Sequence, residues 1–314
     1  MIPMSLRRLT PALLVAVLAV SACGSDAEAP AAASTSTEPL DVVASFYPLQ
    51  FLAERVGGDR VEVSSLTKPG AEPHDLELAP GDLAGVADAD LVVYLSGFQP
   101  SVDEAVTGEA AGKAFDAKDS ADLSLTYTPI EEGAEATEEA GSTDPHFWLD
   151  PTRLRAVGTA LAARMAQADP AGKADFEANA AALGTELGAL DGELEAGLAD
   201  CANPDLVTSH NAFGYLADRY GLTQVGITGL TPEAEPAAGE MAAVIDFVKA
   251  NKVRTIYYET LVSPAVAKVV ADGTGAATAV LDPIEGLSDA SAGKDYFEVM
   301  RANLATLEKG QPCS

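Results

Sequence analysis

The chain has 314 residues, of which 47% are hydrophobic, and this length and composition suit about two globular domains. Acidic residues outnumber basic residues 48 to 19, so the formal net charge is −29. Such a charge argues against nucleic acid and against an anionic membrane surface as binding partners, and it concentrates cations near the protein.

The amino terminus has the pattern of an export signal. Arg7 and Arg8 precede an apolar stretch, 11–20, that is too short to span a bilayer. Small residues then precede Cys23, an arrangement that resembles the bacterial lipobox, whose cysteine is acylated after cleavage. We expect residues 1–22 to be removed, Cys23 to carry the only membrane anchor, and residues 23–39 to form a flexible tether. The alternative is an ordinary signal peptide that happens to contain this cysteine.

Strand and helix patterns alternate in residues 40–151, which predicts an amino-terminal α/β lobe with a mainly parallel sheet. Residues 130–143 within this region are acidic and contain no histidine, and they lack apolar periodicity. We therefore expect a surface loop there. The predicted strands are 41–45, 61–63 and 91–95, and the predicted helices are 47–56 and 79–87.

Residues 152–200 are rich in good helix formers and contain no strand pattern. Asp169-Pro170 divides them into predicted helices near 152–168 and 171–200, and the longer one is expected to be a rigid strut between two lobes. The strand and helix alternation resumes in 201–314, which predicts a carboxyl-terminal α/β lobe. Its predicted strands are 205–208, 223–227, 253–258 and 277–281, and its predicted helices are 213–220, 236–250, 264–271 and 296–309.

The chain contains only three histidines, and each lies beside a turn signal or at the end of a strand pattern. They are His74, His146 and His210, and they are far apart in sequence, so any site they share is assembled by folding. Neutral imidazole is the commonest metal ligand in proteins, and three imidazoles suit zinc.

A tetrahedral zinc site needs a fourth ligand, and Asp282 is our choice because it follows a predicted strand and precedes a proline. Glu259, which follows another predicted strand, is the alternative ligand, or it orients a histidine from behind. Glu72 and Asp75, on either side of His74, are further candidates.

Cys201 and Cys313 remain once Cys23 is assigned to the lipid. Outside the cytoplasm two such cysteines usually form a disulfide, and two buried thiols are the alternative. The pairing would attach the carboxyl-terminal tail to the start of the second lobe.

Five motifs resemble the zinc- and manganese-binding solute-binding lipoproteins of ABC importers, the zinc-uptake family. They are Pro-His-Asp-Leu-Glu (73–77), Asp-Pro-His-Phe-Trp-Leu-Asp-Pro (144–151), Thr-Ser-His-Asn-Ala-Phe-Gly-Tyr (208–215), Thr-Pro-Glu-Ala-Glu-Pro (231–236) and Tyr-Glu-Thr-Leu-Val-Ser-Pro (258–264). The similarity runs in order from about Leu40 to Leu304.

The resemblance implies two α/β lobes joined by one long helix, with the metal between them. It places the ligands at His74, His146, His210 and Asp282. Manganese carriers of the family usually have Glu at the third position, so His210 favours zinc. Many zinc carriers have a histidine-rich loop before the second ligand, and the acidic loop 130–143 departs from that pattern.

The expected function is capture of Zn(II) outside the cytoplasm, by a monomer anchored through lipid, and delivery to an ABC permease. Manganese transport is the alternative within the family. A secreted zinc hydrolase is a rival from another class, but no His-Glu-x-x-His motif occurs. A metal-dependent adhesin is a further rival. Because capture and delivery of the metal is the expected function, we expect no enzymatic activity.

Overall fold

A computed structural model of the chain describes residues 38–130 and 139–313. The predicted signal peptide, Cys23 and nearly all of the predicted tether lie outside the described residues, as does the acidic segment 131–138. Among the described helices, none is both long and apolar enough to cross a membrane.

The amino-terminal lobe is built on a four-stranded parallel sheet with the order β2-β1-β3-β4. Val42 of the central strand β1 lies opposite Val63 of β2 and Leu91 of β3, and the buried valines of β1 pack against helices on both faces. The strands are Leu40–Ala44, Val61–Ser65, Leu91–Tyr94 and Ala114–Asp116, and the helices α1 to α4 are Tyr47–Gly57, Pro80–Asp88, Pro100–Ala105 and Lys118–Ala121.

The carboxyl-terminal lobe repeats this topology with the strand order β6-β5-β7-β8, again entirely parallel. The strands β5 to β8 are Asp205–Thr208, Thr223–Gly226, Thr255–Tyr258 and Ala277–Val280. The helices of this lobe, α7 to α10, are Gly214–Tyr220, Ala238–Asn251, Ala265–Thr274 and Tyr296–Gly310.

Two helices connect the sheets. Helix α5 spans Pro151–Ala168, and α6 spans Lys173–Leu198 after a break at Asp169-Pro170, where the Asp169 side chain accepts a hydrogen bond from the backbone of Ala171. The 26 residues of α6 extend for about 39 Å. The helix packs along α5, against α1 of the first lobe and against α10 of the second. Its buried face consists of side chains at spacings of three and four: Phe176, Ala180, Leu183, Leu187, Leu190, Leu194 and Leu198.

One hydrophobic cluster runs through the molecule from the first sheet, along the face of α6, to the second sheet. It includes Val42 and Leu52 of the first lobe and Tyr257 and Leu281 of the second. A disulfide joins Cys201 to Cys313, the pairing expected from the sequence, so the tail after α10 is attached to the chain just beyond α6. The predicted fold class, two parallel α/β lobes joined by a long helix, is confirmed.

Candidate metal centre

The three histidines and one glutamate come together between the two sheets. His74 lies in the loop after β2, and His146 starts the 3-10 turn 147–149 that leads into α5. His210 lies two residues beyond β5, and Glu285 lies in the loop after β8. Three of the four segments therefore follow the carboxyl ends of parallel strands, which is where open α/β sheets bind ligands.

The oxygen Oε1 of Glu285 is the common neighbour of the three imidazoles. It lies 3.4 Å from Nε2 of His74, 3.2 Å from Nε2 of His146 and 3.3 Å from Nε2 of His210. The Nε2 atoms of His146 and His210 are 3.4 Å apart. All four groups offer a ligand atom within 4.8 Å of every other, and three of the four residues are buried.

These spacings fit the edges of a zinc tetrahedron. Ligand atoms at ~2.0–2.1 Å from zinc are separated by about 3.3–3.4 Å when the geometry is tetrahedral. The four measured separations, 3.2 to 3.4 Å, have this length. Without a cation, two imidazole nitrogens at this distance share at most one proton or repel each other. The arrangement therefore suits one small divalent cation held by three nitrogens and one oxygen.

Carboxylates behind two of the imidazoles orient their Nε2 atoms toward this point. Nδ1 of His146 lies 2.7 Å from Oδ1 of Asp144, and Nδ1 of His210 lies 2.6 Å from Oε1 of Glu259. A proton on each Nδ1 leaves Nε2 free to bind a metal, and the carboxylate makes the imidazole a stronger ligand. Glu259 thus has the orienting position that was one of its two expected roles. Asp144 was not predicted, although it precedes His146 by two residues in a motif that was recognised.

Asp282, the fourth ligand expected from the sequence, does not lie in this group, and Glu285 lies there in its place. The carboxylate of Asp282 is occupied by other partners: Oδ1 accepts a hydrogen bond from the backbone N–H of Ile284 in its own loop, and Oδ2 accepts one from the Thr260 hydroxyl in the loop after β7. Its backbone N–H donates to Oδ1 of Asn303 on α10. Asp282 therefore stabilises the turn that precedes Glu285.

That turn has an unusual backbone. Ile284 has a φ of 58°, in the left-handed region that a β-branched residue rarely adopts. Its side chain is fully buried. The short turn held by Asp282 and Ile284 directs the next side chain, Glu285, into the cleft. No residue type in this segment signals the left-handed conformation, so the sequence could not show which of the two carboxylates reaches the histidines.

The two other candidates beside His74 have different surroundings. The Glu72 carboxylate folds back and accepts hydrogen bonds from the backbone N–H groups of His74 and Asp75. Its Oε1 is 3.9 Å from Nε2 of His74, and burial raises the pKa of Glu72. Asp75 is exposed. Glu72 therefore shapes the His74 loop and lies outside the four-residue group.

The electrostatics of the site favour a positive ion. Glu285 and Glu259 each have one carboxylate oxygen, Oε2, that is buried without a hydrogen-bond partner among the residues the structure describes. Burial would raise the pKa of Glu285, but the three imidazoles outweigh it and hold that pKa well below its usual range. The buried negative charge must be balanced, either by protons on the histidines or by a cation.

Protons and a metal compete for the same nitrogens. Burial would lower the pKa of His210, but Glu259 and Glu285 outweigh it and raise the pKa to about 10. The pKa of His146 is raised in the same way, since the hydrogen bonds to Asp144 and Glu285 outweigh the burial. In the absence of metal His210 therefore retains a proton at neutral pH, which a metal ion must displace, and the raised pKa of His146 works in the same direction.

The chain is similar to known proteins of zinc uptake. The family profile described as zinc-uptake complex component A, periplasmic, matches residues 42–310. The high-affinity zinc uptake system protein ZnuA of Bacillus subtilis is 34% identical over 303 residues, which cover 93% of each chain. The zinc-binding protein AdcA of Streptococcus pyogenes is 36% identical over 282 residues, 85% of this chain. The chain spans about half the length of AdcA, 55%, and of the other streptococcal relatives that it matches equally well.

Solved structures show the same fold. The Zn(II)-bound ZnuA-like domain of Streptococcus pneumoniae AdcA superimposes with a TM-score of 0.71 at 33% identity, covering 87% of this chain and 99% of that domain. The laminin-binding protein Lmb of Streptococcus agalactiae, described as bifunctional with adhesin and metal-transporting activity, gives a TM-score of 0.74 at 32% identity over 87% of this chain and 100% of that one. The match from residue 42 to residue 310 shows that the chain belongs to the family of zinc-uptake complex component A.

Proposed function

We propose that the protein captures Zn(II) outside the cytoplasm and delivers it to the permease of an ABC importer. The main support for zinc binding is that three imidazole Nε2 atoms and Oε1 of Glu285 have the spacing of a zinc tetrahedron. The relatives whose names specify zinc support it.

We propose zinc as the cargo in preference to manganese. Nitrogen-rich sites favour zinc, whereas manganese is held better by carboxylate and water oxygens. The four-residue group has three nitrogen ligands and one carboxylate. Metal analysis of protein purified without added metal, followed by a competition titration with both ions, tests the choice. Retention of manganese, or a lower affinity for zinc than for manganese, would contradict it.

We propose no enzymatic role. A catalytic zinc site keeps one position open for water or substrate, whereas Glu285 completes the set of four ligands here. The other buried glutamate beside the histidines, Glu259, is engaged by Nδ1 of His210 and by the Ser209 hydroxyl. The chain belongs to a family described as a component of zinc uptake, which is a binding role.

The position of α6 supports limited movement of the lobes during release. Arg55 of α1 pairs with Glu186 of this helix, and Arg301 of α10 pairs with Glu193. Both lobes are thus attached to one continuous helix. We propose that zinc leaves after a small tilt or a local change in a loop. Small-angle scattering of the metal-free and zinc-loaded forms tests this, and a large change in radius of gyration would contradict it.

Attachment to the membrane through a lipid on Cys23, and action as a monomer with domain boundaries at 40, 152 and 201, also belong to this proposal. Mass spectrometry of the protein isolated from membranes tests the lipid, because an acylated residue 23 must be the first residue of the mature chain. Sedimentation of the soluble part tests the monomer.

Adhesion is a second candidate function, favoured by the structural likeness to Lmb. Binding of the zinc-loaded protein to immobilised laminin, compared with a chelator-treated sample, tests it. The absence of binding in both samples would remove this candidate and leave metal capture unaffected.

A further inference from the structure

We propose that Trp148 is a positioning residue for the metal centre, and that its indole N–H fixes the distance between His146 in one lobe and Glu285 in the other. This inference rests on the proposed zinc function and identifies a residue outside the ligand set. Nε1 of Trp148 donates a hydrogen bond of 2.7 Å to the backbone carbonyl of Pro283.

The bond joins the two ligand-bearing segments close to their ligands. Trp148 follows His146 by two residues, and Pro283 precedes Glu285 by two residues. Both Trp148 and Pro283 are buried. A change in this one bond is therefore transmitted to the separation between Nε2 of His146 and Oε1 of Glu285, which is 3.2 Å.

The donor side of the bond is rigid. The indole packs against the rings of Phe46, Phe98 and His146, with centroid distances of 5.0, 5.7 and 5.2 Å. The backbone carbonyl of Trp148 accepts a second buried hydrogen bond, 2.7 Å, from the hydroxyl of Tyr296 on α10. Trp148 is thus held through both its indole ring and its backbone carbonyl, and its N–H has one orientation.

The acceptor side needs this support. The segment after Pro283 contains Ile284 at a positive φ, a conformation that costs a branched side chain free energy and that the surroundings must maintain. On the far side of Glu285 the backbone carbonyl of Leu287 accepts a hydrogen bond from the N–H of Gly70 in the His74 loop. Trp148 and Gly70 therefore hold the Glu285 segment from the first lobe at two points, one buried and one partly exposed.

Removal of the indole N–H should destabilise the metal-bound form of the protein more than the metal-free form. The Pro283 carbonyl would be left buried without a donor as long as the Glu285 segment stays closed around the metal. The proposal includes opening of this segment in the metal-free form, which would expose the carbonyl to water. We therefore expect zinc to bind about tenfold more weakly, on the order of 1.4 kcal/mol, with the loss appearing as faster dissociation.

The experiment uses the fact that Trp148 is the only tryptophan in the chain. Replacement of Trp148 by 3-benzothienylalanine puts a sulfur in place of the N–H and keeps the shape of the ring. The conservative variant carries 5-fluorotryptophan, which retains the N–H. Zinc affinity by chelator competition, zinc dissociation rate and the free energy of unfolding are measured for both proteins and for the wild type.

The proposal predicts that the benzothienyl protein loses about tenfold in zinc affinity and releases zinc faster, while the fluorinated protein behaves as the wild type. Equal affinities in all three proteins would overturn it, and so would equal losses in both variants, since packing would then be the cause. If the wild type itself bound no zinc, the proposed function would fall first, so the two failures are distinguishable.

A measurement on the unmodified protein keeps the test valid if the benzothienyl variant does not fold. A sample labelled with ¹⁵N-tryptophan gives one indole signal. Because coupling between two equilibria is reciprocal, zinc should slow exchange of this indole proton by about tenfold or more. An exchange rate that zinc leaves unchanged would overturn the proposal.

Discussion

Glu259 lies 2.6 Å from Nδ1 of His210, on the opposite side of the imidazole from Nε2, which lies 3.3 Å from Glu285. The same Glu259 oxygen accepts a hydrogen bond from the hydroxyl of Ser209. A buried carboxylate thus holds the ring from behind, and the ring presents its other nitrogen to the cleft. Glu259 is therefore outside the group of four residues, but it fixes the orientation of one of them, His210.

Substitution Glu259→Gln should weaken zinc binding by about 10- to 100-fold, the usual effect of losing a carboxylate behind a metal-binding histidine. The amide removes the negative charge that makes the imidazole a strong ligand. Chelator competition measures the effect. Glu195→Gln, at an exposed glutamate of α6, is the matched control and should leave the affinity unchanged. Equal affinities of the two variants would exclude the orienting role.

The pair Glu285→Gln and Asp282→Asn distinguishes the fourth ligand proposed from the structure, Glu285, from the one expected from the sequence, Asp282. Glu285→Gln should weaken zinc binding by about 100-fold or more, because it removes the only ligand charge. Asp282→Asn should cost less than about tenfold, because the amide oxygen can still accept the hydrogen bond from Ile284. Calorimetric titration of both variants measures the order. The reverse order would restore Asp282 as the ligand.

Zinc binding should strengthen as the pH rises. The folded pKa of His210 is about 10, above its ordinary value of 6.5. Protonated His210 therefore stabilises the metal-free protein fully below about pH 6.5, and this contribution is lost as the pH rises toward 10. Zinc binds only the deprotonated ring, so the stabilisation that zinc provides increases as the pH rises.

Scanning calorimetry from pH 6 to pH 9, with and without zinc, checks this dependence. The increase in Tm that zinc causes should grow with pH, while the Tm of the metal-free protein should lose the contribution of His210. Titrations in buffers of different ionisation enthalpy should show release of about one or two protons for each zinc bound at neutral pH. A zinc-induced shift in Tm that is the same at both ends of the range would contradict the assignment.

Substitution His210→Glu should move the metal preference toward manganese. The change replaces a nitrogen ligand by a carboxylate, which suits the harder ion, and it places the new carboxylate near Glu259 and Glu285. The ratio of zinc affinity to manganese affinity, measured by competition, should fall by at least about tenfold. A ratio equal to that of the wild type would show that another feature of the site sets the selectivity.

Sequence patterns predicted the two lobes because the central strands are short apolar runs and the long helices have regular apolar spacing. The good helix formers after Asp169-Pro170 predicted α6, and Leu183, Leu187, Leu190 and Leu194, at spacings of three and four, are part of its buried face. The elements that were not predicted are short. Strand β4 has three residues, α4 has four and α3 has six, which is too few for a period to be recognised.

The three histidines of the site were predictable because the chain has no others and each follows a turn or strand end. The place of Glu285 in this group was not predictable, because it depends on the left-handed backbone of Ile284 and on a hydrogen bond within the turn. Local geometry of this kind has no signature in residue type. Trp148 was part of a recognised motif, but its contact with Pro283 joins residues that are far apart in sequence.

X-ray absorption spectroscopy at the zinc edge, on the protein loaded with one zinc per chain, tests the metal centre most directly. The structure predicts three imidazole nitrogens and one carboxylate oxygen at ~2.0–2.1 Å. In the Glu285→Gln variant the oxygen contribution should change while the three imidazole contributions remain. A spectrum with fewer than three imidazoles, or one dominated by water oxygens, would contradict the account of the site.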